Sequence, residues 1–295
     1  MQTTIGITAA VISTASWATC TLILKKLGEK LDPIGMTAVK SVLSVIFLTV
    51  FMLVFGYQFL IPQEFLVPIA ISGIIGITLG DSLFFASLSK LSPFLIAIIL
   101  FAGPDIFSGL FGFFMLKEMP TISEWIAIFL ILIGLACFIF PIEKNNEDKT
   151  KTTISGIILA LLSLICTAYS MAIIKPVLVN ISAVTATMYR MLFSGLSLIV
   201  LGFISRKIFV WQDAMKDKNY NLKFSATIFL ATFGGFFLSL LAVKHCELII
   251  ASSIMSLEPL FILIFMIVFC KYKPKVKELG GIIASLSGLL ILFKG

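Results

Sequence analysis

Long apolar segments alternate with short polar connections over the whole chain of 295 residues. Each segment holds about 20 residues, which as a helix is long enough to cross the roughly 30 Å hydrocarbon core of a bilayer. The pattern therefore predicts an all-α integral membrane protein with ten transmembrane helices. The predicted helices are 5–24, 34–56, 65–88, 93–116, 122–140, 154–174, 183–204, 224–243, 249–270 and 276–293.

Composition and charge support this class. Hydrophobic residues make up 59% of the chain and charged residues only 13%, whereas a soluble protein carries about 25% charged residues. The net charge of +7 comes mainly from Lys and Arg in the connections. They form no basic face interleaved with aromatic residues, so we expect no nucleic-acid partner. The five Cys have neither CxxC nor metal-ligand spacing, so we expect no disulfide, metal or cofactor.

The polar connection at 143–153 divides the chain into halves whose sequences repeat. We therefore predict one five-helix unit at 1–142, a linker at 143–153, and a second five-helix unit at 154–295. Because five is odd, the second unit enters the membrane from the opposite side, as in the inverted repeats of many secondary transporters. The matched residues are Gly6 with Gly156, Lys40 with Arg190, Gly80 with Gly234, and Gly134 with Gly288.

Lys and Arg are concentrated in the connections that follow the odd-numbered helices. The positive-inside rule places that face in the cytoplasm, and hence both termini outside it. Small residues spaced four apart predict close helix contacts, with a possible dimer face on helix 10. They are Gly76 and Gly80 on helix 3, and Gly280, Ala284 and Gly288 on helix 10.

Five ionisable residues lie inside predicted helices: Lys40, Asp81, Asp105, Arg190 and Glu258. A charge in the hydrocarbon core costs at least about 2.5–3.5 kcal/mol on insertion scales, so each is a candidate for substrate binding or proton coupling. Asp81 belongs to a GDSL tetrapeptide, the signature of a serine-esterase family, but one His in the chain and no α/β alternation argue against a catalytic triad. Asp81 also has no counterpart in the second half, where Gly235 stands.

The other four ionisable residues each have alternative interpretations. Asp105 and Glu258 each adjoin a proline, which frees a backbone carbonyl, so they either line a wet cavity or make a neutral helix–helix hydrogen bond. Lys40 and Arg190 either pair with carboxylates across the repeat, hold a substrate anion, or extend towards the headgroups.

Aromatic residues on polar helix faces are further candidates. Trp17 lies over a dozen residues into the first segment, with Ser13 and Cys20 on the same face. It can cap a substrate by stacking or by a cation–π contact, and the alternative is an interfacial tryptophan. Tyr169, between polar neighbours on helix 6, is a second substrate-binding candidate.

Several motifs resemble the EamA-like branch of the drug/metabolite transporter superfamily. They include Leu257-Glu258-Pro259 followed by a glycine-rich closing helix, the turn LKEMPT at 116–121, and Trp17 and Lys40 in the first two helices. Tyr272-Lys273 departs from the family pattern, which has an acid at that turn. The resemblance covers essentially the whole chain. It implies that helices 1–4 and 6–9 surround a cavity and that helices 5 and 10 brace the outside. It also implies cytoplasmic termini, against the charge distribution.

These observations favour a transporter over an enzyme or a receptor. The chain has no P-loop and no HExxH motif. We expect a secondary active transporter that exports or exchanges a small zwitterionic or cationic metabolite, such as an amino acid or amine. Alternating access around a midplane cavity would move it, with a carboxylate carrying a coupling proton. The alternative is a flippase for a lipid-linked precursor. Its partners would be the substrate and membrane lipids, and we expect a monomer or homodimer in a prokaryotic cytoplasmic membrane.

Overall fold

A computed structural model describes residues 2–27, 30–88, 90–91, 104–139, 154–270 and 276–294. Within these residues all regular secondary structure is helical. Three sequence predictions lie outside them: the beginning of helix 4 at 93–103, the linker at 143–153, and the departure at Tyr272-Lys273.

The helices follow one another in the order that the apolar segments predict. They are α1 Gln2–Leu27, α2 Pro33–Phe55, α3 at 63–88, α4 Pro104–Leu116, α5 Ile122–Ile139, α6 Ile154–Val177, α7 Ala183–Ile204, the short α8 Ile208–Ala214, α9 Lys218–His245, α10 Leu248–Met255, α11 Glu258–Cys270 and α12 Val276–Lys294. Five of them, α2, α3, α6, α7 and α9, are long and apolar enough to cross a membrane. Shorter apolar helices are present in α4, in α5, across α10 and α11, and in α12.

Two segments differ from the sequence prediction. The predicted ninth helix is interrupted by a turn at Ser256 and Leu257, so that Glu258 begins a new helix, α11. The predicted polar connection at 206–223 contains α8 and the first turns of α9. Trp211 of α8 is buried, and its burial gives this short helix a hydrophobic anchor that hydropathy averaged over a long window does not register.

Wide π-helical turns interrupt three of the helices. They lie at Gly73–Asp81 in α3, Gly112–Leu116 in α4 and Ala231–Phe237 in α9. Under the repeat shift of 154 residues, 77–81 in α3 corresponds to 231–235 in α9, so both halves widen the third helix at an equivalent place. Wide turns of this kind are frequent at functional sites because they reorient side chains.

The closest helix pairs join the two halves of the chain. They are α1 with α9, α2 with α7, α3 with α6, and α5 with α12. In the last pair Gly134 and Gly288 allow backbone contact, since a Cβ at either would lie 2.6 Å from a carbonyl oxygen of the other helix. Gly280 faces open space, so of the predicted small-residue face on α12, Gly288 makes the close contact. The core therefore lies between the halves.

The connection between α1 and α2 is tied to α8 by Asp32. Its carboxylate accepts hydrogen bonds from the Gly35 N–H at the start of α2, and from Lys207 Nζ and Trp211 Nε1, both at 2.8 Å. Partial burial raises the pKa of Asp32, but the bonds from Lys207, Gly35 and Trp211 outweigh it and hold the pKa below its ordinary value. Asp32 is therefore an ionised clamp at this end of the bundle.

Candidate functional site

A buried ion pair joins α2 to the π-helical turn of α3. Lys40 is only 1% exposed, and its ammonium donates to the carboxylate of Asp81, whose side chain is 21% exposed. The ammonium also lies 4.6 Å from the centroid of the Phe236 ring on α9 and 5.8 Å from that of Phe85. Lys40 is thus neutralised inside the bundle, and its partner lies in its own half rather than across the repeat.

Arg190, the counterpart of Lys40 on α7, is 2% exposed. Its Nη2 donates to Ser170 Oγ of α6 at 2.8 Å. Its Nε is buried and has no hydrogen-bond partner among the residues that the structure describes. The side chain fits there because α3 presents glycine: a Cβ at Gly76 would lie 3.2 Å from Nη2. Asp81 acts on Arg190 electrostatically, so one carboxylate faces two buried cations.

By the repeat symmetry, a partner of Arg190 would stand at the counterpart of Asp81. Trp17 packs against that position. Gly235 of α9 is the counterpart of Asp81, and a Cβ there would lie 3.0 Å from Trp17 Cε2. The half-buried Trp17 ring packs edge-on against Phe236 at a centroid distance of 4.8 Å. Trp17 thus reaches the Phe236 ring that also faces Lys40. We call Trp17, Lys40, Asp81, Ser170, Arg190 and Phe236 the central cluster.

Pairs of hydroxyl groups connect the halves, and one of these pairs includes Ser170 of the central cluster. Ser and Thr side chains pair across helices at distances of 2.7–3.0 Å. Sequence reasoning missed most of them, although serines spaced three apart on α2 were a visible signal. Such pairs satisfy polar groups that lipid cannot. The pairs are Ser13 with Ser239, Ser44 with Thr232, Ser72 with Ser170, and Thr78 with Ser194.

Asp105 on α4 has a different environment. It is 5% exposed and accepts hydrogen bonds from three hydroxyls of α10 and the turn after it. They come from Ser253 at 2.9 Å, Ser252 at 3.2 Å and Ser256 at 3.4 Å. No ion pair in the part of the chain that the structure describes includes Asp105. It is therefore a carboxyl group held by hydroxyls between a helix of each half.

The two remaining candidates have other partners. Glu258 is the first residue of α11, and its carboxyl group hydrogen-bonds the hydroxyl of Thr21 on α1. The serines that precede Glu258 in sequence serve Asp105 instead. Tyr169 of α6 packs against Phe111 of α4 with ring centroids 5.5 Å apart. The structure thus brings Trp17, Lys40, Asp81 and Arg190 together, and it leaves Asp105, Glu258 and Tyr169 with other partners.

An all-helical bundle with several spans that can cross a bilayer, and with charges buried among them, defines an integral membrane protein. Among the described residues no group of three or more His, Cys, Asp or Glu side chains is placed to hold a metal ion.

The model of the EamA-like transporter family matches residues 4–140 and 154–294. The chain belongs to this family, which confirms the resemblance seen in the sequence and makes the protein a membrane transporter of small molecules.

Comparison with solved structures agrees on the fold. Twenty-eight chains match. One, described only as "Crystal structure of protein", is 14% identical, with a TM-score of 0.70, and the match covers 99% of this chain and 96% of that one. At this identity the likeness shows the fold alone. No protein of curated function matches this chain.

Proposed function

We propose that this protein is a secondary active transporter that exports or exchanges a small zwitterionic or cationic metabolite, such as an amino acid or amine. Ten transmembrane helices, arranged as two inverted five-helix repeats at 1–142 and 154–295 around the linker 143–153, would move it by alternating access. The observation that carries the proposal is the central cluster, since charges buried in a membrane bundle are costly and mark substrate or ion pathways.

The helix pairing supports alternating access. Every closest pair joins one half to the other, so a rocking movement of the halves would remodel the contacts around the central cluster. The interrupted helix at Ser256 and Leu257 and the π-helical turns of α3 and α9 supply irregular backbone at the level of the charged residues. Discontinuous helices commonly form the sites of secondary transporters.

Asp105 is our candidate for proton coupling. An acid held by three hydroxyls can exist in either protonation state, because the hydroxyls can donate to the carboxylate and one of them can accept the single O–H of the carboxylic acid. Glu258, hydrogen-bonded to the hydroxyl of Thr21, is the second candidate. Protonation of either acid would change the hydrogen bonds between α10 or α11 and the opposite half.

Counterflow in proteoliposomes tests the proposal. Purified full-length protein is reconstituted, loaded with one unlabelled amino acid or amine, and assayed for uptake of the same labelled compound, with and without a pH gradient. We expect gradient-dependent net transport that Asp105→Asn loses while exchange persists, because exchange needs no net proton movement. The exposed variant Lys216→Gln is the control. Gradient-independent net transport would remove the proton from the mechanism.

A lateral groove keeps the flippase alternative open. A cavity of about 620 Å³ lies between α3, α4 and α6 and is lined mostly by apolar residues, including Phe65, Pro68, Met115 and Pro176. A groove of this kind suits a lipid chain, with the polar head carried through the bundle. Translocation of a fluorescent polyprenyl-phosphate lipid in the same vesicles, together with no counterflow of any soluble metabolite, would favour the flippase.

Orientation remains a proposal as well. Two of the basic connections that the positive-inside rule places in the cytoplasm lie together at one end of the bundle, where Lys30 pairs with Asp217 and Lys207 with Asp32. Lys216 at this end is highly exposed, so a Lys216→Cys variant can be labelled in intact cells. Labelling by a membrane-impermeant maleimide would reverse the proposed orientation. We place the protein in a prokaryotic cytoplasmic membrane, as a monomer or homodimer among membrane lipids.

A further inference from the structure

The guanidinium of Arg190 points to the chemistry of the transported molecule. We propose that Arg190, with Ser170 beside it, binds a carboxylate of that molecule, so that the substrate must carry an anionic group and simple amines are excluded. This inference rests on the transport function proposed above and narrows it. It concerns the anionic end of the substrate alone.

Arg190 has more donors than the protein satisfies. A guanidinium stays charged at any physiological pH and carries five N–H donors in a planar fork. Arg190 is 2% exposed, yet its Nε has no partner, and Ser170 takes a bond from Nη2. An unpaired buried donor on a charged group is costly, and a carboxylate is the acceptor whose geometry matches the fork.

The acid nearest to Arg190 is already engaged. Asp81 acts on Arg190 electrostatically, but its hydrogen-bonded partner is Lys40. The two cations and one carboxylate leave the central cluster with an excess of one positive charge. The five ionisable residues named from the sequence comprise three carboxylates and two cations. Two of the carboxylates, Asp105 and Glu258, are bonded to hydroxyls elsewhere and do not belong to the cluster. A bound carboxylate would neutralise the cluster.

The repeat explains why no acid of the described residues forms an ion pair with Arg190. Lys40 and Arg190 are counterparts, and so are Asp81 and Gly235. The first half therefore supplies a carboxylate to its buried cation, whereas the second half has glycine at that position and Trp17 packs against it. Lys40 therefore has a carboxylate partner within the protein, whereas the ligand supplies the carboxylate partner of Arg190.

The test uses the purified full chain and matched probes. The probes are the proteinogenic L-amino acids, each beside its carboxamide and its decarboxylated amine, measured by thermal shift and by counterflow. We expect at least one amino acid to be transported, with its amide and amine binding at least about ten-fold more weakly, since each lacks a charge-assisted hydrogen bond. Arg190→Gln should abolish this preference for the carboxylate. Arg190→Lys should retain part of it, because the charge remains and the fork is lost.

Each outcome decides a separate point. If the wild-type protein moves amides or amines as well as the amino acids, or if a folded Arg190→Gln keeps the preference for the carboxylate, the inference is wrong and the transport function stands. If the wild-type protein moves none of the probes, both proposals fail. Size-exclusion chromatography reports whether each variant is folded. If Arg190→Gln aggregates, the comparison of acid, amide and amine on the wild-type protein still tests the preference for a carboxylate. Lys216→Gln is the matched surface control.

Discussion

Replacing Asp81 by Asn tests whether the buried pair with Lys40 stabilises the bundle. Lys40 is the more deeply buried partner, at 1% exposure, whereas the Asp81 side chain is 21% exposed. Asp81→Asn therefore strands an ammonium in the interior. Lys40→Met strands a carboxylate that is partly exposed and still faces Arg190. We expect Asp81→Asn to destabilise the protein more than Lys40→Met does.

The magnitude follows from the environment of the ammonium. Removing one partner of a buried ion pair costs about 3–5 kcal/mol. The rings of Phe236 and Phe85 remain 4.6 and 5.8 Å from Lys40 Nζ, and each cation–π contact contributes roughly 0.5–2 kcal/mol. The loss of unfolding free energy caused by Asp81→Asn should therefore lie near the lower end of this range, at about 3 kcal/mol. The double variant should cost less than the sum of the single ones, with a coupling energy of about 1–3 kcal/mol.

The assay is reversible unfolding by SDS in mixed micelles, followed by tryptophan fluorescence. The control cycle uses the exposed pair of Lys216 and Asp213, whose side chains are 77% and 68% exposed. For that cycle we expect a coupling energy of no more than about 0.5 kcal/mol. Additive single costs for Lys40→Met and Asp81→Asn would refute the reasoning, because they would mean that the two groups do not interact in the folded protein.

Three further predictions concern close packing and pH. Gly235→Ala should lower the unfolding temperature and slow counterflow, because its Cβ would crowd Trp17. The control Gly280→Ala, whose Cβ meets open space, should change neither the unfolding temperature nor counterflow. Equal effects of the two variants would contradict the prediction. Gly134→Ala should destabilise the contact of α5 with α12 by about 1–3 kcal/mol in the SDS assay, and an unchanged midpoint would show that the helices separate easily. Asp32 has a lowered pKa, so the stability it contributes is complete above its unfolded pKa of about 3.9 and is lost as the pH falls through the lower folded pKa. The difference in stability between wild type and Asp32→Asn should therefore shrink below about pH 4. A difference that stays constant with pH would argue against the clamp.

Pattern reasoning located the charged residues well because their cost in an apolar segment is a property of the segment itself. Lys40 and Arg190 were matched by the repeat, and both are buried. Asp81 was singled out because Gly235 stands at its counterpart, and in the structure Asp81 pairs with Lys40 and acts electrostatically on Arg190. Whether any of the candidates binds substrate or a proton stays a prediction.

Partner choice was harder to predict, because it depends on which helices become neighbours. The serines of α10 precede Glu258 in sequence, yet they donate to Asp105 of the other half. The π-helical turns were also missed. In α3 and α9 they lie where Arg190 and Trp17 approach glycines of another helix, and contacts between helices leave no trace in local hydropathy.

The sequence by itself therefore determined the class of the protein, the order of its helices, and Lys40, Asp105 and Arg190 as charged residues within them, all three of which are buried. The physical reason is that a bilayer requires each apolar segment to satisfy its backbone hydrogen bonds internally, which is a local condition. Only the tertiary structure decided that Asp81 neutralises Lys40, that hydroxyls hold Asp105, and that the Nε of Arg190 is left without a partner. Those outcomes depend on side chains meeting across helices from both halves, at distances that no single segment specifies.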